Sequence, residues 1–290
     1  MKKTAVIAVS TGCLDYLDIP YDNLFIVRCK ILINNQTYND YIDITAERFY
    51  DMLNHDKSLM PSSSMPSLGE ITETFDRILE AGYENVLFIT ISSALSGTYQ
   101  TALMAKNAYN KPLNIQIINT KNAAISEGFI SLEALRMIDE GKNIDVIKET
   151  LETLSISRKQ YFMVDNLRLL VKNGRLSNAS GFLGSLLKIK PILEVNDEGK
   201  IVPFEKVRTQ KKALERMVDY VIDDLKSINN FVITYDTSDN EAGFDYVKSR
   251  IDAAYPNNRF YAAPITPVIG CHTGVGTVGI AYFNLDNIDL

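Results

Sequence analysis

Two serines stand where a polar ligand could be held. Ser63 lies in a loop rich in Ser and Pro, and Ser93 follows the apolar run 85–91. Both loops precede helical patterns, and helix N-termini offer free amides and partial positive charge that suit an anion. Ligands of open parallel sheets also lie beyond the carboxyl ends of the strands. Ser67 and Ser96 are better explained as helix caps, whereas spacing alone leaves anion binding and a purely structural role equally open for Ser63 and Ser93.

Further polar candidates are one histidine and two arginines. His272 lies in Cys271-His272-Thr273-Gly274, between a predicted strand and glycine turns. A lone histidine is more often structural than catalytic, but this position favours a site, and a Ser-His-Asp triad through His272 stays open. Arg175 lies in a glycine turn, and Arg208 precedes a predicted helix. Surface arginines usually only face solvent, but two near one anion site would bind a phosphate or a carboxylate.

Several catalytic and cofactor-binding motifs are absent from the sequence. It contains no Gly-x-Ser-x-Gly, no Gly-x-x-x-x-Gly-Lys-Ser/Thr and no His-Glu-x-x-His pattern. Two histidines in the chain exclude a multi-histidine metal site. The segment 274–279 fits Gly-x-Gly-x-x-Gly, but a dinucleotide fingerprint must follow a strand and open a helix. This segment is therefore interpreted as a tight turn between two closing strands.

Composition narrows the class of protein. The length of 290 residues favours two domains. The net charge of −6 argues against a general nucleic-acid binder, which would show a basic face. Three widely separated cysteines predict neither a disulfide framework nor a zinc site. The first apolar run stops at Ser10, too early for a signal peptide, and no run approaches the ~20 residues of a membrane helix. These features predict a cytoplasmic protein.

Periodicity predicts an α/β protein of two domains. In residues 1–156, strands alternate with amphipathic helices, which is typical of an α/β/α domain with a parallel sheet covered on both faces. In residues 157–290, a hairpin signal at 196–199 and further strands predict an α+β domain with a mostly antiparallel sheet. Residues 263–269 are assigned to one of two closing strands, and 24–27 and 30–33 to an earlier strand pair.

Several ordered segments together resemble the DegV family of fatty-acid-binding proteins, which includes binding subunits of bacterial fatty acid kinase. The most specific is Ile91-Ser92-Ser93-Ala94-Leu95-Ser96-Gly97-Thr98-Tyr99-Gln100. The others are Ser63-Ser64-Met65-Pro66-Ser67, Leu169-Leu170-Val171-Lys172-Asn173-Gly174-Arg175-Leu176-Ser177, Leu187-Lys188-Ile189-Lys190-Pro191-Ile192, Lys206-Val207-Arg208 and Gly270-Cys271-His272-Thr273-Gly274-Val275-Gly276. The chain departs from the family pattern at Val9, where an Asp is usual, and at Met65, where a Gln is usual.

The resemblance implies a carrier that is not catalytic alone. One long-chain fatty acid would lie in a buried tunnel between or beside the domains, with its carboxylate at Ser63, Ser93, His272 and Arg175. A separate ATP-binding kinase subunit would convert the carboxylate to an acyl phosphate, and Arg208 would contact that partner or the phosphate. No cofactor is expected besides the fatty acid, and transient contact with a membrane surface fits this role.

Other interpretations stay open. Phe129, Phe182, Leu183, Leu186 and Leu187 are candidate tunnel residues, although each is individually more typical of a plain core. The main functional alternatives are a stand-alone serine hydrolase that uses Ser93 or Ser63 with His272, and a binder of another apolar carboxylic acid.

Overall fold

The structure is a computed structural model that describes residues 3–177 and 189–288. Its strands are β1 Thr4–Val9, β2 Leu24–Val27, β3 Lys30–Ile33, β4 Gln36–Asn39, β5 Ser62–Ser64, β6 Asn85–Thr90, β7 Asn114–Asn119, β8 Arg158–Met163, β9 Ile192–Val195, β10 Ile201–Glu205, β11 Phe231–Thr237, β12 Arg259–Pro264 and β13 Val278–Asn284. Its helices are α1 Ala46–His55, α2 Leu68–Glu80, α3 Thr98–Ala108, α4 Ile125–Asp139, α5 Ile144–Ile156, α6 Arg168–Lys172, α7 Gln210–Leu225, α8 Glu241–Ala254 and α9 Pro267–Thr273.

A four-stranded parallel sheet forms the centre of the N-terminal half, in the order β2-β1-β6-β7. Strand β6 is buried at every position. Val86 and Phe88 pack with the apolar faces of α2 and α3, whereas Leu87 and Ile89 pack with α4 and α5. Alternate residues of the strand therefore pack against helices on opposite faces of the sheet. The predicted parallel sheet covered on both faces is confirmed.

A six-stranded sheet forms the centre of the C-terminal half, in the order β10-β9-β8-β13-β11-β12. Every pairing is antiparallel except that of β11 with β12. The mostly antiparallel second sheet is therefore confirmed. Helix α5 ends at Ile156 and β8 is the first strand of the second sheet along the chain. The division into 1–156 and 157–290 stays a prediction.

A small third sheet corrects the predicted strand pair. Strand β2 pairs with β1, whereas β3 lies between β4 and β5 in an antiparallel sheet. Residues 24–27 and 30–33 therefore belong to different sheets. The third sheet sets Ser63 opposite Ile31, so a serine that looks like part of an irregular loop has a fixed place on a strand.

The predicted strand at 263–269 is wrong beyond β12, because helix α9 begins at Pro267. Pro is favoured at the first position of a helix, where its missing N–H is not needed. The buried carboxylate of Asp40 accepts a hydrogen bond from Thr266 Oγ1 at 2.8 Å and another from the Val268 amide at 3.3 Å. A cap supplied from 228 positions away leaves no local signal in the sequence.

The two halves share their cores. Phe49 of α1 belongs to one buried cluster with Val268 and Cys271 of α9. Phe129 of α4 lies 4.8 Å from Phe283 of β13, measured between ring centroids. In the part of the chain that the structure describes, no helix is long and apolar enough to cross a membrane.

Candidate functional site

The centre of the candidate site is a contact between Ser63 and His272. Ser63 lies on β5, His272 lies near the end of α9, and a hydrogen bond of 2.7 Å joins Ser63 Oγ to Nε2 of His272. Two predicted site residues that are 209 positions apart are therefore brought together. Strand pairing with β3 holds the serine, and packing of α9 on β5 and α1 holds the imidazole.

The Ser63–His272 pair lies on the wall of a cavity of about 330 Å³. This volume is typical of a small-molecule site. Arg175 also lines the cavity, so three predicted residues meet there. The remaining wall is largely apolar or small and consists of Thr11, Cys29, Ser64, Met65, Ile91, Leu95, Ser96, Gly97, Ala123, Ile201, Val268, Ile269 and Thr273.

The imidazole of His272 is neutral at physiological pH. Burial, and after it the positive charge of Arg175, lowers the pKa of His272 to about 4. The imidazole therefore supplies hydrogen bonding but no charge at the cavity wall. Its Nδ1 is buried and has no partner among the described residues.

Arg175 supplies the positive charge at this wall. Its Nε donates to the carbonyl oxygen of Leu95 at 3.3 Å, and its Nη1 donates to the carbonyl oxygen of Asn173. Within 3–177 and 189–288, no carboxylate forms an ion pair with it. Backbone carbonyls orient the guanidinium without neutralising it, which leaves its charge available to an anionic ligand.

Ser93 lies apart from this wall. Its hydroxyl accepts a hydrogen bond from Asn119 Nδ2 at 2.7 Å, and its amide donates to Asn119 Oδ1 at 3.1 Å. The cavity lining does not include it. The neighbouring Ser92 donates to the carbonyl oxygen of Gly199 at 2.8 Å, which ties the end of β6 to the β9–β10 turn. A role for Ser93 in ligand binding stays a prediction.

Arg208 also lies outside the cavity lining. It is exposed and immediately precedes Thr209, which caps α7 by accepting a hydrogen bond from the Lys212 amide. A position on the surface suits contact with a partner protein better than contact with a buried ligand.

The apolar tunnel candidates divide into two groups. Phe129 is fully buried in the core between the halves and does not line the cavity, so the plain-core interpretation applies to it. Phe182, Leu183, Leu186 and Leu187 lie outside the described residues.

Thr11 is a cavity residue that the sequence interpretation missed, although a usable signal exists. It follows β1, so the rule that selected Ser93 at a strand end applies to it equally. Its hydroxyl donates to the buried Glu127 Oε1 at 2.8 Å. Burial raises the pKa of Glu127 well above its ordinary value.

The surroundings of the Ser63–His272 pair differ from those of a Ser-His-Asp triad. In such a triad the imidazole has a pKa near the working pH and an acidic group on its second nitrogen. Here the pKa of His272 is low, the nearby charge is the cation Arg175, and Nδ1 has no described partner. Among the described residues there is also no cluster of three or more His, Cys, Asp or Glu that could hold a metal ion.

The glycine segment 274–279 begins directly after α9 and ends within β13, so residues 274–277 connect the two elements. Gly274 and Gly276 have φ angles of 75° and 86°, a region that favours glycine. A dinucleotide fingerprint runs from strand to helix, so the direction here is opposite. The interpretation as a turn is correct, although the turn follows a helix.

Comparison with known proteins supports the resemblance. A family model described as the DegV family matches residues 3–285. A DegV domain-containing protein of Listeria monocytogenes is 33% identical over 288 residues, which cover 97% of this chain and 98% of the relative.

Two solved structures share the fold. The crystal structure of DegV, a fatty acid binding protein from Bacillus subtilis, has a TM-score of 0.86 and 29% identity, and the match covers 98% of this chain and 100% of that chain. A fatty acid binding DegV family protein from Streptococcus agalactiae has a TM-score of 0.88 and 29% identity, with coverage of 98% and 99%. From the family model and the relative in Listeria, we conclude that this chain belongs to the DegV family.

Proposed function

We propose that this chain binds one long-chain fatty acid in a buried tunnel and presents its carboxylate to an ATP-dependent kinase that forms the acyl phosphate. The observation that carries the proposal is a polar corner, Ser63, His272 and Arg175, on a largely apolar cavity wall. Related structures described as fatty acid binding proteins from Bacillus subtilis and Streptococcus agalactiae support the ligand class.

The acyl chain supplies most of the driving force. At ~0.8 kcal/mol per methylene, fifteen methylenes give roughly 12 kcal/mol of gross stabilisation on leaving water. Ordering the chain and the side chains around it offsets much of this gain. An apolar wall such as Ile91, Val268 and Ile269 suits the tail.

The head group requires hydrogen bonds, because a bare buried carboxylate is costly. In the tautomer with the proton on Nε2, His272 donates to Ser63 Oγ, and the serine proton is free for the ligand. Asn119 donates to Ser93 Oγ in the same way, so the Ser93 hydroxyl proton is also free if the head group reaches it. Arg175 would supply the opposite charge.

The partner would supply the phosphoryl chemistry. Phosphoryl transfer depends mainly on positioning and charge neutralisation, and ATP with its metal ion would arrive with the kinase. Exposed Arg208 would contact that kinase or the developing phosphate. Because such a kinase would draw on ATP, we expect the complex in the cytoplasm, where brief contact with a membrane surface would allow exchange of the acyl chain.

Extraction and reconstitution test the proposal. Protein purified under native conditions would be analysed for bound lipid by mass spectrometry, delipidated, and titrated with fatty acids of different chain lengths. We expect one fatty acid per chain and kinase-dependent formation of acyl phosphate. Absence of lipid together with no uptake of added fatty acid would refute binding, whereas preference for another apolar acid would redefine the ligand.

The Ser63–His272 contact of 2.7 Å is the one observation that favours a hydrolase as a second candidate. A hydrolase would turn over acyl esters without any partner, and Ser63→Ala would abolish that activity. We expect no such turnover, because the imidazole lacks an acidic partner within the described residues.

A further inference from the structure

Met65 occupies an unusual place at the candidate site. It lines the cavity together with Ser63 and His272, yet 45% of the residue is exposed to solvent. One side of this side chain therefore faces the cavity and the other faces water. A single flexible thioether forms part of the wall between the polar corner and the outside.

The backbone at Met65 is fixed on both sides. The preceding residue, Ser64, pairs with Lys30 in the third sheet. The following segment enters α2 through a capping box between Ser67 and Glu70. Rotation of the Met65 side chain, which has three rotatable bonds, is therefore the movement that uncovers the cavity here with the backbone left in place.

The sulfur of Met65 lies against Gly97, at a position where the side chain of any other residue would be too close. A Cβ added at Gly97 would lie 2.8 Å from Met65 Sδ and 3.2 Å from its Cε. Gly97 immediately precedes α3 and also lines the cavity. Its missing side chain is what lets the thioether close against the start of that helix.

The closed position is held only weakly. Thr101 Oγ1 lies 3.5 Å from Met65 Sδ, and thioether sulfur is a weak acceptor. The same hydroxyl lies 3.2 Å from the carbonyl oxygen of Gly97. When Met65 rotates away, the Thr101 proton keeps an acceptor, so opening leaves no donor without a partner.

We propose that Met65 is a movable cover at the polar end of the cavity and that its rotation sets how fast an acyl ligand enters and leaves. The inference rests on the proposed function, because it assigns a further residue to that ligand site. A cover differs from an ordinary ligand contact in its effect on rates. Loss of a contact raises the dissociation rate, whereas loss of a cover raises the association rate as well.

Stopped-flow fluorescence with the full delipidated chain and cis-parinaric acid as the probe tests this inference. Dissociation would be measured by transfer to excess phospholipid vesicles. If the open rotamer is populated at about 10%, Met65→Ala should raise both rate constants about tenfold with a smaller change in affinity. Gly97→Ala should raise both as well, because the new methyl group excludes the sulfur. Met104→Ala, at a 60% exposed position on α3 outside the cavity lining, is the matched control.

The outcomes separate the cover from the proposed function. Wild-type rates in both Met65→Ala and Gly97→Ala would refute the cover, and so would a rise in dissociation alone. Equal acceleration by Met104→Ala would also refute it, because the effect would not belong to this wall. A wild-type protein that takes up no cis-parinaric acid and no other fatty acid would instead refute the proposed function. Thermal unfolding of each variant identifies any loss of folded protein.

Discussion

The sharpest consequence of the site geometry is the expected effect of Ser63→Ala on fatty acid affinity. The substitution removes the hydroxyl that lies 2.7 Å from Nε2 of His272. Because Nδ1 already has no described partner, both imidazole nitrogens then lack a protein partner within the part of the chain that the structure describes. The polar corner also loses one donor for the carboxylate.

The magnitude follows from the cost of leaving buried polar groups without hydrogen bonds. That cost is about 1–3 kcal/mol, which corresponds to a roughly 5- to 150-fold weaker affinity. The apolar wall is unchanged, so the tail keeps its contribution of roughly 0.8 kcal/mol per methylene. Ser63→Ala should therefore weaken binding without abolishing it.

The assay is titration of delipidated protein with a fluorescent fatty acid, accompanied by thermal unfolding without ligand. Ser227→Ala is the matched control. Ser227 lies just beyond α7, and its exposed hydroxyl donates to the carbonyl oxygen of Asp224 near the end of that helix. A double-mutant cycle with His272→Asn adds a second criterion. Residues that act as one pair should give a double variant whose loss is smaller than the sum of the single losses.

Two results would refute the reasoning. Unchanged affinity in Ser63→Ala would show that the head group does not use this corner, and additive losses in the cycle would show that the two residues act separately. If Ser93→Ala weakened binding and Ser63→Ala did not, the carboxylate would lie at the end of β6 instead.

Three further predictions concern single charged groups. Arg208→Ala should spare fatty acid uptake but reduce acyl phosphate formation by the kinase; a fall in uptake would assign Arg208 to the ligand cavity. Arg175→Gln should weaken fatty acid binding and raise the pKa of His272 from about 4, because a nearby positive charge is lost, although burial still keeps this pKa below its ordinary value. NMR titration of the histidine resonances measures the shift, and an unchanged pKa would contradict the assigned interaction. Burial raises the pKa of Asp236 to about 7 from 3.8, so ionisation of this carboxyl should lower the free energy of unfolding as pH rises from 4 to 7. Asp236→Asn should therefore raise the free energy of unfolding at pH 8 by on the order of 4 kcal/mol but not at pH 3. Chemical denaturation at both pH values measures the effect, and an equal effect at both would exclude titration as the cause.

Features encoded within a few residues could be predicted from the sequence. The Ser67–Glu70 capping box depends on spacing alone, and the structure contains both of its hydrogen bonds. Strand β6 is buried on both faces because helices cover both faces of the sheet, so its continuous apolar sequence is enough to predict a central strand. The helix predicted to follow Arg208 is also present, as α7 at Gln210–Leu225.

Features that depend on distant partners could not be predicted in the same way. The sequence predicts a strand through 269, which includes the first residues of α9, because the residue that caps this helix, Asp40, lies in another part of the chain. Ser63 and His272 were both candidates, but only the third sheet and α9 place them 2.7 Å apart. The sequence also could not show that Asn119 donates to Ser93, since Ser93 lies in the loop after β6 and Asn119 ends β7.

The position of His272 shows why the candidate site depends on both halves of the chain. The imidazole belongs to the C-terminal half, but the N-terminal half holds its helix: Asp40 caps α9, and the Tyr50 hydroxyl donates to the carbonyl oxygen of Ile265 at 2.8 Å. The same half supplies Ser63. The distance between Ser63 and His272 is therefore set by the interface between the halves, where small-molecule sites commonly lie. A ligand that depends on this contact gains affinity only when that interface is formed, and by linkage it must stabilise the interface in return.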